Sequence, residues 1–133
     1  MTRDDIVAAA RQYLGIRYHH QGRNRSGMDC AGLIVCVARD LGIALLDQTG
    51  YSRVPNGGSL RRAVEGQAVR VATAQPGDIL LMRFDGDPQH LAIMTDHGMI
   101  HSYAQARRVV EHRIDAEWAK RIVAAYQFPG VEA

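Results

Sequence analysis

With 133 residues, 47% of them apolar, the chain is long enough for one domain that buries about two thirds of the surface its unfolded form exposes. Sixteen Lys and Arg against fourteen Asp and Glu leave a net charge of +2 with both signs interspersed, so there is no dense basic stripe to hold nucleic acid. No apolar run approaches the length of a membrane span, and the charged start Met1-Thr2-Arg3-Asp4-Asp5 lacks the apolar region of a signal peptide, so a single domain over 1–133, synthesised in the cytoplasm, is expected.

Thr2 and Asp5 are spaced as a capping box, and Ile6, Ala9, Ala10, Tyr13 and Leu14 follow as an amphipathic stripe, which predicts a first helix ending at Gly15. Residues 16 to 28 read as a loop rich in Arg, His, Gly, Asn and Ser. Leu33, Ile34, Val37 and Leu41 then recur on one face ahead of Gly42, so a second helix should begin at Cys30 with Asp29 as its N-cap. Residues 43 to 58 read as irregular, with Gly50, Pro55, Gly57 and Gly58 as turn residues, and a short helix is expected from Ser59 to Glu65. Strands are expected at Ala68–Val71, Asp78–Phe84, His90–Thr95, Met99–Tyr103, Arg108–His112 and Ile122–Gln127, with a short helix around Asp115 to Lys120. Helices first and adjacent strands later predict an α+β fold with an antiparallel sheet of five or six strands.

Cys30 stands where a polar, Gly-rich loop becomes an apolar helix. A helix N-terminus carries about half a positive charge in unsatisfied N–H groups, which favours thiolate over thiol, so this cysteine is expected to be reactive. Cys36, flanked by Val35, Val37 and Ala38, reads as ordinary packing. Six positions apart on one helix, the two point in different directions, and both are expected as free thiols.

A nucleophilic thiol needs a base, and the base needs a third polar group to orient it. Six histidines are available: His19, His20, His90, His97, His101 and His112. His90 opens a strand and His101 lies on the next one, across the turn at Asp96 to Gly98. If that turn holds two or four residues, both project from the same sheet face and can touch; three residues would put them on opposite faces. His97 reads as a solvated turn residue and His112 as an exposed strand position. His19 and His20 are adjacent, but no further Cys or His has the short spacing of a metal site, so no metal or other cofactor is implied.

Four blocks carry a resemblance: Leu14-Gly15-Ile16-Arg17-Tyr18 to Met28-Asp29-Cys30-Ala31-Gly32-Leu33-Ile34, Gln75-Pro76-Gly77-Asp78-Ile79-Leu80, His90-Leu91-Ala92-Ile93-Met94, and Met99-Ile100-His101-Ser102-Tyr103. In this order, across nearly the whole chain, they resemble the NlpC/P60 cysteine peptidases. The resemblance implies a papain-like α+β core in which the helix bearing the cysteine packs on an antiparallel sheet bearing the histidine. It implies hydrolysis of peptidoglycan stem peptides, typically between D-glutamate and the diamino acid. By position it makes Cys30 the nucleophile, His90 the general base and His101 the residue that orients it. Tyr18, twelve positions before Cys30, matches a tyrosine whose hydroxyl can help hold the oxyanion, and Asp29 matches a residue that binds the substrate's amine end.

The family commonly has serine after the cysteine, where this chain has Ala31. The Asp-Cys-Ala-Gly variant resembles the small branch encoded with the tail genes of prophages and gene transfer agents, which implies phage-type tail or hub proteins as partners and a tail-associated enzyme acting on the cell wall. Two alternatives stay open at this level: an amidase or acyltransferase on the same thiol scaffold, and a structural tail component with little activity.

Overall fold

The computed structural model describes residues 1–45 and 58–132; the turns expected at Gly50, Pro55 and Gly57 lie outside them. Helix α1 (Arg3–Arg11) begins with the expected capping box. The Asp5 amide donates to Thr2 Oγ1 at 3.2 Å and the Thr2 amide to Asp5 Oδ2 at 2.8 Å. It closes one turn earlier than its apolar stripe suggests. Residues 12–15 form a turn in which Tyr13 stays buried while Leu14 is 42% exposed, because helical spacing no longer governs which way either side chain points.

The segment expected to be an irregular loop contains a small hairpin, β1 (Arg23–Asn24) paired with β2 (Gly27–Met28). Asn24 Oδ1 accepts from the Ser26 amide at 2.8 Å, the local bond by which asparagine makes a turn. Helix α2 (Cys30–Asp40) follows, starts on Asp29 as expected, and gives way to Gly42 at φ +70°. Helix α3 (Ser59–Glu65) and strands β3 (Val69–Val71), β4 (Ile79–Met82), β5 (His90–Met94), β6 (Met99–Tyr103) and β7 (Arg108–His112) come next, then helix α4 (Ala116–Arg121) and strand β8 (Ile122–Gln127).

Six strands form one antiparallel sheet in the order β3, β8, β4, β5, β6, β7. Eleven residues are too few for α2 to persist alone, so tertiary burial holds it. Leu33, Ile34 and Val37 pack into a core with Ile6 of α1 and with Ile79, Leu81, Leu91, Ile93, Ile100 and Tyr126 of the sheet, each contributing about 1.5–3 kcal/mol. The other sheet face carries a smaller core of Leu80, Met82, Ala92, Met99 and Ala125, with Trp118 and Ile122 against it. That is why the unbroken run Ile79-Leu80-Leu81-Met82 makes the central strand: both of its faces are covered.

Asp78 is fully buried and pairs with Arg3 of α1, while its second oxygen accepts from the Gln75 amide at 2.8 Å. This pair ties the first helix to the entrance of the central strand, a charge whose desolvation is met by a partner and a hydrogen bond together.

Candidate active site

The N-terminus of α2 is built by close backbone approach. A Cβ on Gly32 would overlap the carbonyl oxygen of Gly22, and one on Gly22 would overlap that of Gly27, so the hairpin lies flat on the first turn of the helix only because both positions are glycine. Asp29, 2% exposed, holds the same junction. Its Oδ1 accepts from the Gly32 amide at 2.8 Å and from Arg23 Nη1 at 2.9 Å, and its Oδ2 accepts from the Gln21 amide at 2.8 Å. Three protein donors therefore hold the carboxylate that the resemblance implies as a substrate contact. Tyr18 is half-buried beside this junction, bridged to Met28 and with its amide donating to the Arg107 carbonyl at 2.9 Å.

Cys30, the first residue of α2, is partly exposed, whereas Cys36 is 1% exposed within the main core. The position at the helix start does not produce a thiolate. Burial, then the adjacent Asp29 carboxylate, push the Cys30 thiol up to about 12, against weaker opposition from hydrogen bonds with the Leu91 and Ala31 backbone. The cap that starts the helix thus adds its negative charge to burial in disfavouring the thiolate. The Leu91 contact also fixes where α2 meets the sheet, at the residue next to His90.

The β5–β6 turn, Thr95 to Gly98, holds four residues, and the register Ile93 opposite Ile100 and Met94 opposite Met99 puts His90 and His101 on one face. His90 Nε2 and His101 Nδ1 are 2.6 Å apart. The turn is pinned from several sides: Thr95 Oγ1 donates to Glu111 Oε2 at 2.7 Å and accepts from the His97 and Gly98 amides, and Arg11 pairs with both Glu111 and Asp96. His97 is exposed at its tip, as a turn residue should be.

The chain of rings continues one strand further than the sequence reading placed it. His112, read as an exposed strand position, is half-buried with its Nε2 2.8 Å from His101 Nε2 and its Nδ1 2.8 Å from the Arg113 carbonyl oxygen. The signal was available: β6 and β7 are joined by the four residues 104–107, so the parity that pairs His90 with His101 also pairs His101 with His112. His19 is exposed and His20 half-buried in the segment before the hairpin.

Burial holds His90 well below its ordinary value, with Asp29 opposing, and holds His101 lower still with help from its two neighbours, so both rings are neutral near pH 7. Aromatic rings enclose them. Tyr103 stacks on His101 at 4.9 Å, Trp118 of α4 meets His101 edge-on at 5.1 Å and His112 at 4.9 Å, and Phe84 lies 5.3 Å from His90. The arrangement offers a neutral thiol at a helix start that meets β5 at Leu91, and on β5, β6 and β7 a hydrogen-bonded run of three imidazoles, of which His90 and His101 are neutral, in a largely apolar surround. A thiol and a ring nitrogen are the two groups between which a thiol-dependent acyl transfer passes a proton.

The family model described as NlpC/P60 family matches residues 15–127 of this chain. A curated relative, probable endopeptidase Rv2190c of Mycobacterium tuberculosis, is 35% identical over 111 residues, which is 81% of this chain and 26% of the relative. The chain thus spans about a quarter of the length of the curated relatives it matches. Among solved structures, an NlpC/P60 family protein from Bacillus cereus superposes with a TM-score of 0.76 at 22% identity over 96% of this chain and 40% of its own. The NlpC/p60 domain of peptidoglycan hydrolase SagA superposes with a TM-score of 0.66 at 26% identity, over 96% of this chain and all of that domain.

Proposed function

The chain belongs to the NlpC/P60 family, and from that premise we propose that it is a cysteine endopeptidase acting on peptidoglycan stem peptides, at the bond between D-glutamate and the diamino acid. The observation that carries this reading is the hydrogen-bonded His90–His101 pair on the strands that meet the helix start at Cys30. In the proposed reaction His90 takes the thiol proton as the Cys30 sulfur attacks the scissile carbonyl carbon, and His101 holds the ring of His90 in place. The oxyanion is met by the Cys30 amide, one of the first N–H groups of α2 that have no intrahelical acceptor, and by the Tyr18 hydroxyl. Collapse expels the amine with the proton from His90, and water then hydrolyses the thioester.

A neutral resting thiol makes this general-base catalysis, with the thiolate formed only as it attacks. Asp29 braces the junction from which Cys30 and its helix start. The Asp29-Cys30-Ala31-Gly32 variant supports the further reading that the enzyme works from a phage-type tail, with tail or hub proteins as partners; co-purification with tail particles, absent from particles of a deletion strain, tests that part.

Digestion of purified peptidoglycan with wild-type protein and with Cys30→Ala, followed by mass spectrometry of the released fragments, tests the activity and the bond together. Fragments cut between D-glutamate and the diamino acid, released only by the wild type, are expected. Transfer of an acyl group to an added amine in place of hydrolysis would make the protein an acyltransferase, and identical digests from the two proteins would end the peptidase reading.

A further inference from the structure

His112 closes the outer end of the histidine run, and its own contacts dictate where each ring proton sits. The Arg113 carbonyl oxygen, 2.8 Å from His112 Nδ1, can only accept, so Nδ1 carries a hydrogen and in the neutral ring Nε2 carries none. His101 Nε2, 2.8 Å from that bare nitrogen, is then the donor, which leaves His101 Nδ1 bare. His90 Nε2, 2.6 Å from it, must donate in turn. Nδ1 of His90 is left as a lone pair.

We propose that His112 is a positioning residue: a directed run of three hydrogen bonds, starting at the Arg113 carbonyl and passing through His112 and His101, holds His90 in the one tautomer whose Nδ1 can take the Cys30 proton. Its catalytic meaning rests on the reading of Cys30 and His90 as nucleophile and base. Without an acceptor at position 112, His101 has no reason to keep its hydrogen on Nε2, and its two tautomers become competitive. One of them donates to His90 and forces the hydrogen of His90 onto Nδ1, where it blocks the base. His90 and His101 are buried neutral, so neither escapes the choice by carrying both hydrogens. Trp118 packs on both His101 and His112 and keeps their rings from turning out of the run.

The test reads the tautomers directly, by long-range proton–nitrogen correlation on protein labelled with ¹⁵N-histidine at pH 8, in the wild type, His112→Gln and His112→Leu. Glutamine places its amide oxygen where Nε2 of His112 stood, and leucine offers no acceptor. In the wild type His90 and His101 are expected as Nε2-H tautomers with bare Nδ1, and His112 as the Nδ1-H tautomer. The glutamine variant should keep the pattern at His90 and His101, and the leucine variant should show mixed tautomers there with kcat lowered at least tenfold and KM unchanged. A wild-type His101 that carries its hydrogen on Nδ1 would overturn the proposal, and so would wild-type tautomers at His90 in a folded leucine variant. Should the leucine variant not fold, the wild-type and glutamine spectra decide alone. Tautomers as stated in a protein that cuts no peptidoglycan would uphold the run and remove the peptidase reading.

Discussion

Ser102 Oγ donates to the carbonyl oxygen of Met28 at 2.6 Å, with both residues fully buried. Ser102 follows His101 on β6, and Met28 stands two residues before Cys30, so one side-chain bond ties the strand of His101 to the approach of the thiol.

Ser102→Ala removes that tie at modest thermodynamic cost. The Met28 carbonyl keeps the His19 amide at 3.1 Å, so no acceptor is orphaned and the loss should be about 1 kcal/mol, seen as a Tm lower by several degrees. Turnover measured well below that Tm should fall by more than the stability loss explains, because the thiol and the histidines are no longer held to one anchor. Turnover at the wild-type level would show that the bond serves the fold alone.

At position 101 the side-chain reach of the replacement matters. Asparagine places its amide oxygen near the site of Nδ1 and can still accept from His90, whereas glutamine reaches toward Nε2 and the His112 end. His101→Asn should therefore keep more activity than His101→Gln, and His101→Ala should lose on the order of 10²-fold or more. Rates of the three variants on one stem peptide check the order; equal rates would strip His101 of an orienting role.

The role proposed for Tyr18, a hydroxyl that holds the oxyanion, acts mainly in the transition state. Tyr18→Phe should lower kcat by about 10²-fold and leave KM nearly unchanged. A raised KM with normal kcat would instead make Tyr18 a substrate contact.

In the proposed mechanism the raised Cys30 thiol owes its reactivity to His90. Iodoacetamide at pH 7 should label Cys30 and spare Cys36, which is 1% exposed, and His90→Ala should slow labelling of Cys30 at least tenfold. Peptide mapping of the labelled protein gives both rates. A rate indifferent to His90 would mean that the thiol ionises unaided.

The buried histidines also set an acid limit on the fold. In the unfolded chain each titrates near 6.5, and in the folded protein each is held far below, so between these values the unfolded state binds more protons. Their contribution is fully present above 6.5 and is lost as the pH falls, by at most about 1.4 kcal/mol per pH unit for each ring. Asp96 and Glu111, both lowered by Arg11, lose theirs only below the carboxylate values of 3.8 and 4.5. Urea unfolding from pH 8 to pH 5 should show stability falling before any carboxylate titrates, with a shallower slope in His101→Asn. A flat profile over that range would contradict the neutral burial of the two rings.

Strands with alternation or long apolar runs were legible in the sequence because each has a face to bury; β4, β5, β6, β7 and β8 lie within a residue or two of their expected bounds. The β1–β2 hairpin was not, since two residues per strand carry no period, and what holds it is contact between glycine backbones. Leu14 misled because an apolar side chain just past a helix end still fits the helical count. His101 was legible through turn parity, and His112 was readable by the same rule one turn later. The protonation of Cys30 was not, because a helix terminus and its capping carboxylate oppose each other, and only the geometry of burial decides between them.

Trp118 is the single tryptophan of the chain, and it rests against both His101 and His112. The protein therefore carries an optical reporter of its own histidine run, with no competing indole elsewhere. A protonated imidazole quenches indole emission more strongly than a neutral one, so fluorescence followed against pH reads the charge of these rings in the folded protein. Rapid mixing with a stem peptide would read their rearrangement in real time, on unlabelled wild-type protein.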